Sequence, residues 1–303
     1  MFHALSSNSL TLPTMDPYGP SRWIDVFSRG PIAFNYNISS ASYVKVSPSS
    51  GMLGGSSNNT DIRLNVTIDW ASAPNGSTTS VINITTTTPS GEYLNSTNPY
   101  GNYQMPRIMV PVNKTIVPAS FHGFVESDRT ISIEAEHFST NVSNSSSAYL
   151  NVIPSYGRTL SGVGLLPWTA SSQSANSSSA PRLSYDFYTF TPNVTKANIT
   201  TYIGMALNAN PSRPLKYAIS IDNQAPQVIQ PIPSTQLGIL PPNWTPMVSN
   251  AVTTNTTMHD LSRPGMHTLN LWVLEPNTIV QKLVVDLGGV RASYLGPPES
   301  VRL

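Results

Sequence analysis

Two glutamates separated by one residue are the strongest candidates for chemistry in this sequence. They are Glu134 and Glu136, in the segment ISIEAEHF. Because side chains alternate along a β-strand, the pattern places Ile131, Ile133 and Ala135 on one face and both glutamates on the other. The two carboxylates then lie about 6.6 to 7 Å apart along the strand.

Three interpretations of this pair stay open on the residues alone. The separation falls within the roughly 5 to 10 Å that a general acid and base need for glycoside hydrolysis. The carboxylates are equally the hard oxygen ligands that calcium takes, completed by backbone carbonyls and one more acid. The best third acid is Asp286, in the apolar strand IVQKLVVDLGG. The remaining interpretation is an exposed strand with ordinary surface charges.

Aromatic residues in predicted loops form a second group of candidates. Rings stack on the apolar faces of sugars, while amides or acids bond the hydroxyls. Trp168 and Trp244 lie in the predicted loops GLLPWTA and PPNWTP and are candidate carbohydrate contacts. Tyr185, Phe187 and Tyr217 alternate with other residues in a way typical of sandwich interiors, so we expect them in the core.

Composition excludes several other function classes. The 303 residues include no cysteine, which removes disulfides, thiolate zinc sites and cysteine nucleophiles. The five histidines show no metal-site spacing, and the sequence has no nucleophile elbow, phosphate loop or dinucleotide fingerprint. The chain has sixteen Lys and Arg residues and fifteen Asp and Glu residues, so it has no excess of positive charge that would attract nucleic acid. The apolar stretches are strand-sized, far below the roughly 18 to 20 residues of a membrane helix.

Short β-type runs separated by turn signals indicate an all-β fold class. Residues 1–20 contain three prolines and are expected to be a connector from something upstream. Six or seven runs in residues 21–112 predict a small immunoglobulin-like β-sandwich, and residues 113–127 predict an ordered linker. Eight runs in residues 128–303 predict a larger jelly-roll β-sandwich.

Glycosylation acceptors of the form Asn-x-Ser/Thr occur fourteen times, about twice the roughly six that the composition predicts. They are Asn37, Asn58, Asn65, Asn75, Asn83, Asn95, Asn113, Asn141, Asn144, Asn176, Asn193, Asn198, Asn243 and Asn255. Alternation turns Asn65 and Asn83 away from the apolar faces of their strands. Because the acceptors face solvent and the chain has no cysteine, we favour an extracellular, glycosylated protein. The alternative is a Ser/Thr-rich surface in which the triplets occur by chance. The N-terminus does not resemble a secretion signal, so we expect the C-terminal part of a longer secreted protein.

Several long segments carry a resemblance to a known family. They include TMDPYGPSRWIDVFSRGPIAF, FHGFVESDRTISIEAEHFS, LKYAISIDNQAPQVI and HTLNLWVLEPNTIVQKLVVDLGGVRASYLGPPES. From about Leu10 to Ser300 the chain closely resembles the C-terminal region of fungal glycoside hydrolase family 115 enzymes. That family comprises xylan α-1,2-glucuronidases, which remove glucuronic acid side chains by an inverting mechanism. The resemblance implies an extracellular, plant-biomass-degrading context.

The resemblance also implies that the catalytic acids lie in upstream domains, so no catalytic residue is assigned in this chain. Its second sandwich resembles carbohydrate-binding modules of the galactose-binding jelly-roll type. In those modules a Glu-x-Glu on the first strand and an Asp on the last strand hold a structural calcium. Glu134, Glu136 and Asp286 match this pattern, and no other cofactor is expected.

We therefore expect a non-catalytic accessory region of a secreted family 115 α-glucuronidase, inactive alone. Its expected partners are the upstream catalytic domains, xylan or another plant cell-wall polysaccharide, and a second copy in a homodimer of the full-length enzyme. No nucleic-acid or membrane partner is expected. Two alternatives stay open: an independent carbohydrate-binding protein, and a self-sufficient glycosidase that uses Glu134 and Glu136.

Overall fold

A computed structural model describes most of the chain and divides it into two compact units, residues 1–116 and 117–303. The described ranges are residues 9–28, 32–55, 59–90, 107–143, 147–177, 179–208, 210–236 and 238–303. In the described ranges, the regular secondary structure of both units is almost entirely β-strand.

The first unit is a sandwich of two mostly antiparallel sheets. Its strands are β1 (Ser9–Thr11), β2 (Arg22–Phe27), β3 (Phe34–Ser39), β4 (Val44–Ser47), β5 (Ser50–Leu53), β6 (Asp61–Ile68), β7 (Gly76–Thr87) and β8 (Arg107–Lys114). One sheet has the strand order β1-β8-β7-β3-β5, and the other has the order β2-β6-β4. Alternation along β6 buries Leu64, Val66 and Ile68, which is the face that the sequence pattern predicts.

Residues 1–20 were expected to form a connector, but their described part belongs to the first sandwich. β1 pairs in parallel with β8, and Leu12 and Met15 are buried in the core of the first unit. Two apolar side chains three residues apart gain more from burial in the sandwich than from solvent exposure, which draws the segment onto the sheet. The expected linker also ends inside the second unit, because Phe124 and Val125 form its first strand.

The second unit contains twelve strands and one short helix. They are β9 (Phe124–Val125), β10 (Thr130–Glu134), β11 (Thr140–Val142), β12 (Tyr149–Ile153), β13 (Gly162–Leu166), β14 (Arg182–Thr189), β15 (Lys196–Gly204), β16 (Tyr217–Ile221), β17 (Gln227–Ile229), α1 (Trp244–Asn250), β18 (Val252–Asp260), β19 (Gly265–Val273) and β20 (Ile279–Asp286). We call the sheet β12-β13-β20-β15-β18, with β10 also paired to β20, the first jelly-roll sheet. The second jelly-roll sheet is β11-β14-β19-β16-β17, with β9 also paired to β14.

One apolar core draws side chains from both jelly-roll sheets. The predicted core aromatics Tyr185, Phe187 and Tyr217 are all fully buried there, together with Ile131 and Ile133 of β10. Burial raises the pKa of Tyr217 to about 12. The predicted all-β fold class, a small sandwich followed by a larger jelly roll, is confirmed.

The last ten residues, 294–303, form what we call the C-terminal segment, and they run along β9 and β10. The Ser300 N–H donates to the Ser132 carbonyl (2.9 Å), and the Val125 N–H donates to the Val301 carbonyl (2.9 Å). The Ser132 hydroxyl donates to the Pro297 carbonyl at 3.0 Å. These bonds place the C-terminal segment over β10, the strand that carries Glu134.

Candidate functional site

The pairing of β10 with β20 separates the three acids that were expected to bind calcium. In this antiparallel ladder Glu134 lies opposite Lys282, whereas Asp286 lies opposite Thr130. Each residue advances a strand by about 3.3 Å, so Glu134 and Asp286 are roughly 13 Å apart along the sheet. β10 ends at Glu134, and Glu136 follows in a turn. The strand pairing therefore does not assemble the three carboxylates.

A lysine ammonium lies against Glu134 instead. Lys282 Nζ is 3.0 Å from Glu134 Oε1 and donates to the carbonyl oxygens of Leu295 (3.3 Å) and Pro297 (3.1 Å). The Thr159 hydroxyl donates to the same carboxylate oxygen at 2.6 Å. Lys282 is 2% exposed and Glu134 is 5% exposed, so the ion pair is buried under the C-terminal segment.

These residues do not fit a calcium site. Calcium takes about six to eight oxygen ligands, and an ammonium in contact with a would-be ligand repels a second cation. Within the described ranges, no group of three or more His, Asp and Glu side chains could hold a metal ion. The structure therefore does not bring Glu134, Glu136 and Asp286 together in the described residues, and a lysine contacts Glu134; calcium binding by these residues stays a prediction.

Asp286 has a separate, local partner set. Its Oδ1 accepts hydrogen bonds from the backbone N–H groups of Gly288 (2.7 Å), Gly289 (3.0 Å) and Val290 (3.2 Å). Gly288 has φ +95°, a conformation that a residue with a side chain rarely adopts. Asp286 therefore closes the turn that follows β20.

The contacts of Glu134 also argue against a glycosidase pair. A general acid or base must reach the glycosidic oxygen or the attacking water. One oxygen of Glu134 is already bound by Lys282 and Thr159, and the carboxylate is buried. Glu136 is half-buried in the following turn. These contacts count against the alternative of a self-sufficient glycosidase that uses these two residues.

The two candidate tryptophans lie in different surroundings. Trp168 is 48% exposed, and its ring lies 3.7 Å from the point where a Cβ on Gly164 would stand. Trp244 begins α1 and packs, half-buried, against a small cluster that includes Ile232 and Met247. Trp168 is thus about half exposed, whereas Trp244 is partly a core residue. Neither lines the cleft described next.

A polar cleft of about 620 Å³ opens on the second jelly-roll sheet. Strands β14 and β19 form its floor, and the turns after β16 and β18 form its rim. It is lined by Thr140, Arg182, Ser184, Asp186, Asp222, Asn223, Ser262, Arg263, Met266, His267, Thr268 and Asn270. All of these side chains except Met266 carry a hydrogen-bonding group.

The floor of the cleft is a row of hydrogen-bonded side chains. The Ser184 hydroxyl donates to Asn270 Oδ1 at 2.8 Å, and Asn270 Nδ2 donates to the Ser220 hydroxyl at 3.4 Å. All three residues are buried. Because each bond fixes the next side chain in the row, the floor presents its remaining donors and acceptors in set positions.

The rim joins two turns through an imidazole ring. His267 Nδ1 lies 2.8 Å from Asp222 Oδ2, and Nε2 lies 2.9 Å from the Arg263 carbonyl. The Thr268 N–H donates to Asp222 Oδ1 at 2.9 Å, and the Thr268 hydroxyl donates to Asp186 Oδ1 at 2.7 Å. Both carboxylates of the cleft are therefore hydrogen-bonded by the protein.

The two arginines of the cleft are not paired with these carboxylates. The guanidinium carbon of Arg182 lies 5.8 Å from the centroid of the Trp272 ring, and its Nε is buried without a hydrogen-bond partner. In the part of the chain that the structure describes, no carboxylate forms an ion pair with Arg182 or Arg263. The cleft thus has bound acids and unpaired guanidinium groups.

Sequence reasoning missed these residues, although part of the signal was present. In β14 the polar residues Arg182, Ser184 and Asp186 alternate with the core residues Leu183 and Tyr185. That alternation predicts a polar outer face. It does not predict that β14 lies beside β19, because the two strands are about eighty residues apart in the chain.

The acceptor asparagines are mostly at the surface. Eight of those in the described ranges are exposed: Asn37, Asn65, Asn75, Asn83, Asn141, Asn176, Asn193 and Asn198. Asn113, Asn243 and Asn255 are half-buried, and the side-chain oxygens of Asn243 and Asn255 are buried without a partner. Asn58, Asn95 and Asn144 lie outside the described residues. Glycan occupancy stays a prediction at every position.

The family model described as glycosyl hydrolase family 115 C-terminal domain matches residues 123–299, more than half of the chain. The chain belongs to this family. The matched range of the family 115 domain contains both the Lys282–Glu134 pair and the polar cleft. No curated protein matches the chain at a significant level.

Several solved structures are similar to this family 115 chain. A family GH115 4-O-methyl-α-glucuronidase, BtGH115A, with specificity for decorated arabinogalactans, is 11% identical, covers 58% of this chain and 19% of its own, and has a TM-score of 0.39. The C-terminal CBM6 of LamC, a laminarinase from Zobellia galactanivorans, is 12% identical with a TM-score of 0.33, over 52% of this chain and 98% of its own. The GH26-CBM35 β-(1,4)-mannanase of Podospora anserina is 10% identical with a TM-score of 0.33, over 53% and 28%.

This chain thus spans about a fifth of the length of the family 115 enzyme to which it is similar. No helix in the described part of the family 115 chain is both long and apolar enough to cross a membrane.

Proposed function

We propose that this chain is a non-catalytic accessory region of a secreted fungal xylan α-1,2-glucuronidase of family 115, and that its jelly roll contacts glucuronoxylan. The observation that carries the proposal is the polar cleft on a domain of this family. Side chains that both donate and accept hydrogen bonds are those that bind sugar hydroxyls.

The arrangement of acids supports a binding role over a catalytic one. Glu134 is held by Lys282, and the cleft carboxylates Asp186 and Asp222 accept hydrogen bonds from Thr268. Asp222 is held in addition by the ring of His267. Carboxylates committed to internal bonds orient a ligand more readily than they exchange protons with it.

The extracellular setting and the partners are part of the same proposal. Eight exposed acceptor asparagines support passage through a secretory route. The proposed partners are upstream catalytic domains, on which the two sandwiches pack, and a second copy of the full-length enzyme.

Affinity electrophoresis in gels containing glucuronoxylan tests the binding role. We expect the polysaccharide to retard the wild-type chain and Asn223→Ala, in the cleft rim, to weaken binding roughly two- to tenfold through one lost hydrogen bond. Asn151→Ala, on the exposed side of β12, is the matched control and should bind normally. Absence of retardation for the wild-type chain contradicts the proposal. If Trp168→Ala is the only variant that loses retardation, the polysaccharide contact lies at Trp168 and not in the cleft.

Incubation of the 303-residue chain with glucuronoxylan tests the non-catalytic assignment. We expect no release of glucuronic acid above the rate without protein. Release that depends on protein concentration overturns the assignment.

A further inference from the structure

We propose that His267 is a pH-dependent clamp at the rim of the polar cleft, and that loss of one proton from its ring weakens ligand binding in the cleft. The ring joins the two turns that form the rim. It bonds both turns only when each of its nitrogens carries a proton. The inference rests on the proposed function, because it concerns the regulation of the same cleft.

Both ring nitrogens of His267 face hydrogen-bond acceptors. Nδ1 lies 2.8 Å from Asp222 Oδ2, and Nε2 lies 2.9 Å from the Arg263 carbonyl oxygen. An ionised carboxylate and a backbone carbonyl accept hydrogen bonds but cannot donate them. A neutral imidazole has one N–H, so it satisfies one acceptor and turns a lone pair toward the other, whereas an imidazolium has two N–H groups. The geometry therefore favours the doubly protonated ring.

The position of His267 leaves little room for water to replace a lost partner. The residue is 4% exposed and lies opposite Phe187 of β14, with the two ring centroids 5.5 Å apart. A buried polar group that loses its hydrogen bond destabilises the arrangement around it. A change in the protonation of this ring is therefore passed on to the turns that it contacts.

The charged groups near the ring are compatible with an imidazolium. Asp222, from the turn after β16, contacts Nδ1, and Asp186 of β14 accepts a hydrogen bond from the hydroxyl of the residue that follows the histidine in β19. The Arg263 guanidinium opposes a second positive charge, but this residue is exposed and water weakens the repulsion. Lys196 and Asp260, where β15 begins and β18 ends, pair with each other at 2.8 Å.

The remaining charged residue of the cleft is distant from the ring. Arg182 lies beside Trp272, near the other end of the β14–β19 ladder from His267. Asp222 is therefore the carboxylate that controls the second proton.

Deprotonation releases the turn after β18 and not the turn after β16. A hydrogen bond to an ionised carboxylate is stronger than one to a neutral carbonyl, so the neutral ring keeps its proton on Nδ1 and stays bound to Asp222. The backbone N–H of Asp222 also donates to the Thr268 carbonyl at 2.7 Å, which ties its turn to β19. Residues 262–264 are exposed, and the Arg263 carbonyl then faces a lone pair in place of a donor.

Release of this turn changes the cleft itself. Ser262 and Arg263 line the cleft from the turn after β18, and Asn223 lines it from the other turn. Histidine is the side chain whose charge changes in the range of about pH 5 to 8. Because the closed rim favours the added proton, its stabilising contribution is present at low pH and is lost as the pH rises. Ligand binding should follow the same direction.

NMR spectroscopy of the full chain with isotope-labelled histidine tests the protonation state. At about pH 5 we expect the ring nitrogens of His267 to give the signals of an imidazolium, and at about pH 8 those of a neutral ring protonated on Nδ1. His267→Gln identifies the signals by their disappearance. A ring that is already neutral at about pH 5 overturns the inference.

Isothermal titration calorimetry with glucuronoxylan fragments tests the effect on the cleft. We expect binding to the wild-type chain to be about two- to tenfold weaker at about pH 8 than at about pH 5, which is the effect of one lost hydrogen bond.

Variants assign this pH dependence to the ring. In Asp222→Asn the new amide can donate to Nδ1, so a neutral ring keeps its proton on Nε2 for the Arg263 carbonyl and the pH dependence should disappear. His267→Gln should also lose it. His122→Gln removes an exposed histidine that does not line the cleft, and it should keep the wild-type pH dependence. Thermal melting checks that each variant is folded, and Asp222→Asn keeps the test decisive if His267→Gln is not.

The outcomes separate the two proposals. Equal binding of the fragments at both pH values overturns the inference and leaves the carbohydrate-binding function intact. A pH dependence that persists unchanged in the folded variants of Asp222 and His267 also overturns it. No binding at either pH overturns the proposed binding function and, with it, the regulation of binding, while the ring nitrogen signals still decide whether the histidine is doubly protonated.

Discussion

The two jelly-roll sheets each carry a polar cluster, and the clusters differ in how their charges are used. On the first sheet, Lys282 and Glu134 neutralise each other beneath the C-terminal segment. On the second sheet, Arg182 and Arg263 line an open cleft whose carboxylates are bound by other donors. One cluster is closed and internally paired, and the other is open with unpaired cations.

The comparison separates a structural site from a binding site. Taking a charge out of water is costly, so a buried charge persists where a partner and further hydrogen bonds compensate it. The Lys282 ammonium has Glu134 and two backbone carbonyls. A charge that stays partly solvated beside a cavity needs no such partner and remains available to a ligand. Changes in the closed cluster should therefore alter stability, and changes in the cleft should alter binding.

The largest expected effect is the loss of the buried lysine. Lys282→Met should lower the free energy of unfolding by about 3 to 5 kcal/mol, because it leaves the Glu134 carboxylate buried without its cation. Urea denaturation measures the change. The double variant with Glu134→Gln should be less destabilised than Lys282→Met alone, since no uncompensated charge remains.

A surface ion pair provides the matched control for that experiment. Lys196 and Asp260 lie 2.8 Å apart, but their side chains are 58% and 72% exposed. Lys196→Met should have little effect, because solvent screens an exposed pair. If Lys282→Met and Lys196→Met have the same free energy of unfolding, the buried ion pair contributes no more to stability than the exposed one. That result would contradict the assignment of the buried cluster as a structural site.

A smaller effect is expected at a buried histidine whose ring lies against a hydroxyl group. His259 is 2% exposed, and its Nε2 lies 2.8 Å from the Thr257 hydroxyl. Burial lowers the pKa of His259 below its usual value of 6.5, with a smaller opposing influence from Asp260. The folded state thus prefers the neutral ring, and the unfolded chain binds the proton more readily.

The resulting contribution to stability is present above about pH 6.5 and is lost as the pH falls through the lower folded-state pKa. Unfolding free energies measured from pH 7.5 to pH 5 should therefore decline more steeply in the wild-type chain than in His259→Gln. Parallel curves for the two proteins would show that burial of this ring carries no pH dependence.

Metal removal should have the smallest effect. Because the Lys282 ammonium contacts Glu134 in the closed cluster, a chelator should leave the melting temperature unchanged, and added calcium should not raise it. Differential scanning fluorimetry with EDTA and with calcium measures both. A fall in the melting temperature with EDTA, reversed by calcium, would restore the metal site that the Glu-x-Glu pattern suggested.

Local patterns in the sequence predicted much of the fold. The alternation of Ile131 and Ile133 with polar neighbours predicted their burial, and the alternating patterns around Tyr185 and Tyr217 did the same. These predictions succeeded because a strand with one buried face has a period of two whatever its neighbours are. The chain also carried the family resemblance, which residues 123–299 confirm at the level of the family 115 C-terminal domain.

The candidate site was much less predictable. Glu134 lies at the end of β10, whereas Glu136, predicted on the same strand, lies in the turn that follows. The sequence could not show that Lys282 lies across from Glu134 or that residues 294–303 bury the pair. Likewise, Ser184 and Asn270 are separated by 86 positions and become neighbours through strand pairing. Such contacts depend on register, which long-range packing sets.

By itself, then, the sequence determined the all-β class, the core-facing residues of many strands, the surface position of most acceptor asparagines and the family. Tertiary structure decided which charges are paired. Whether a carboxylate meets a calcium ion, a lysine or a sugar depends on the strand beside it and on its solvent exposure. Side-chain type and local spacing specify neither of these.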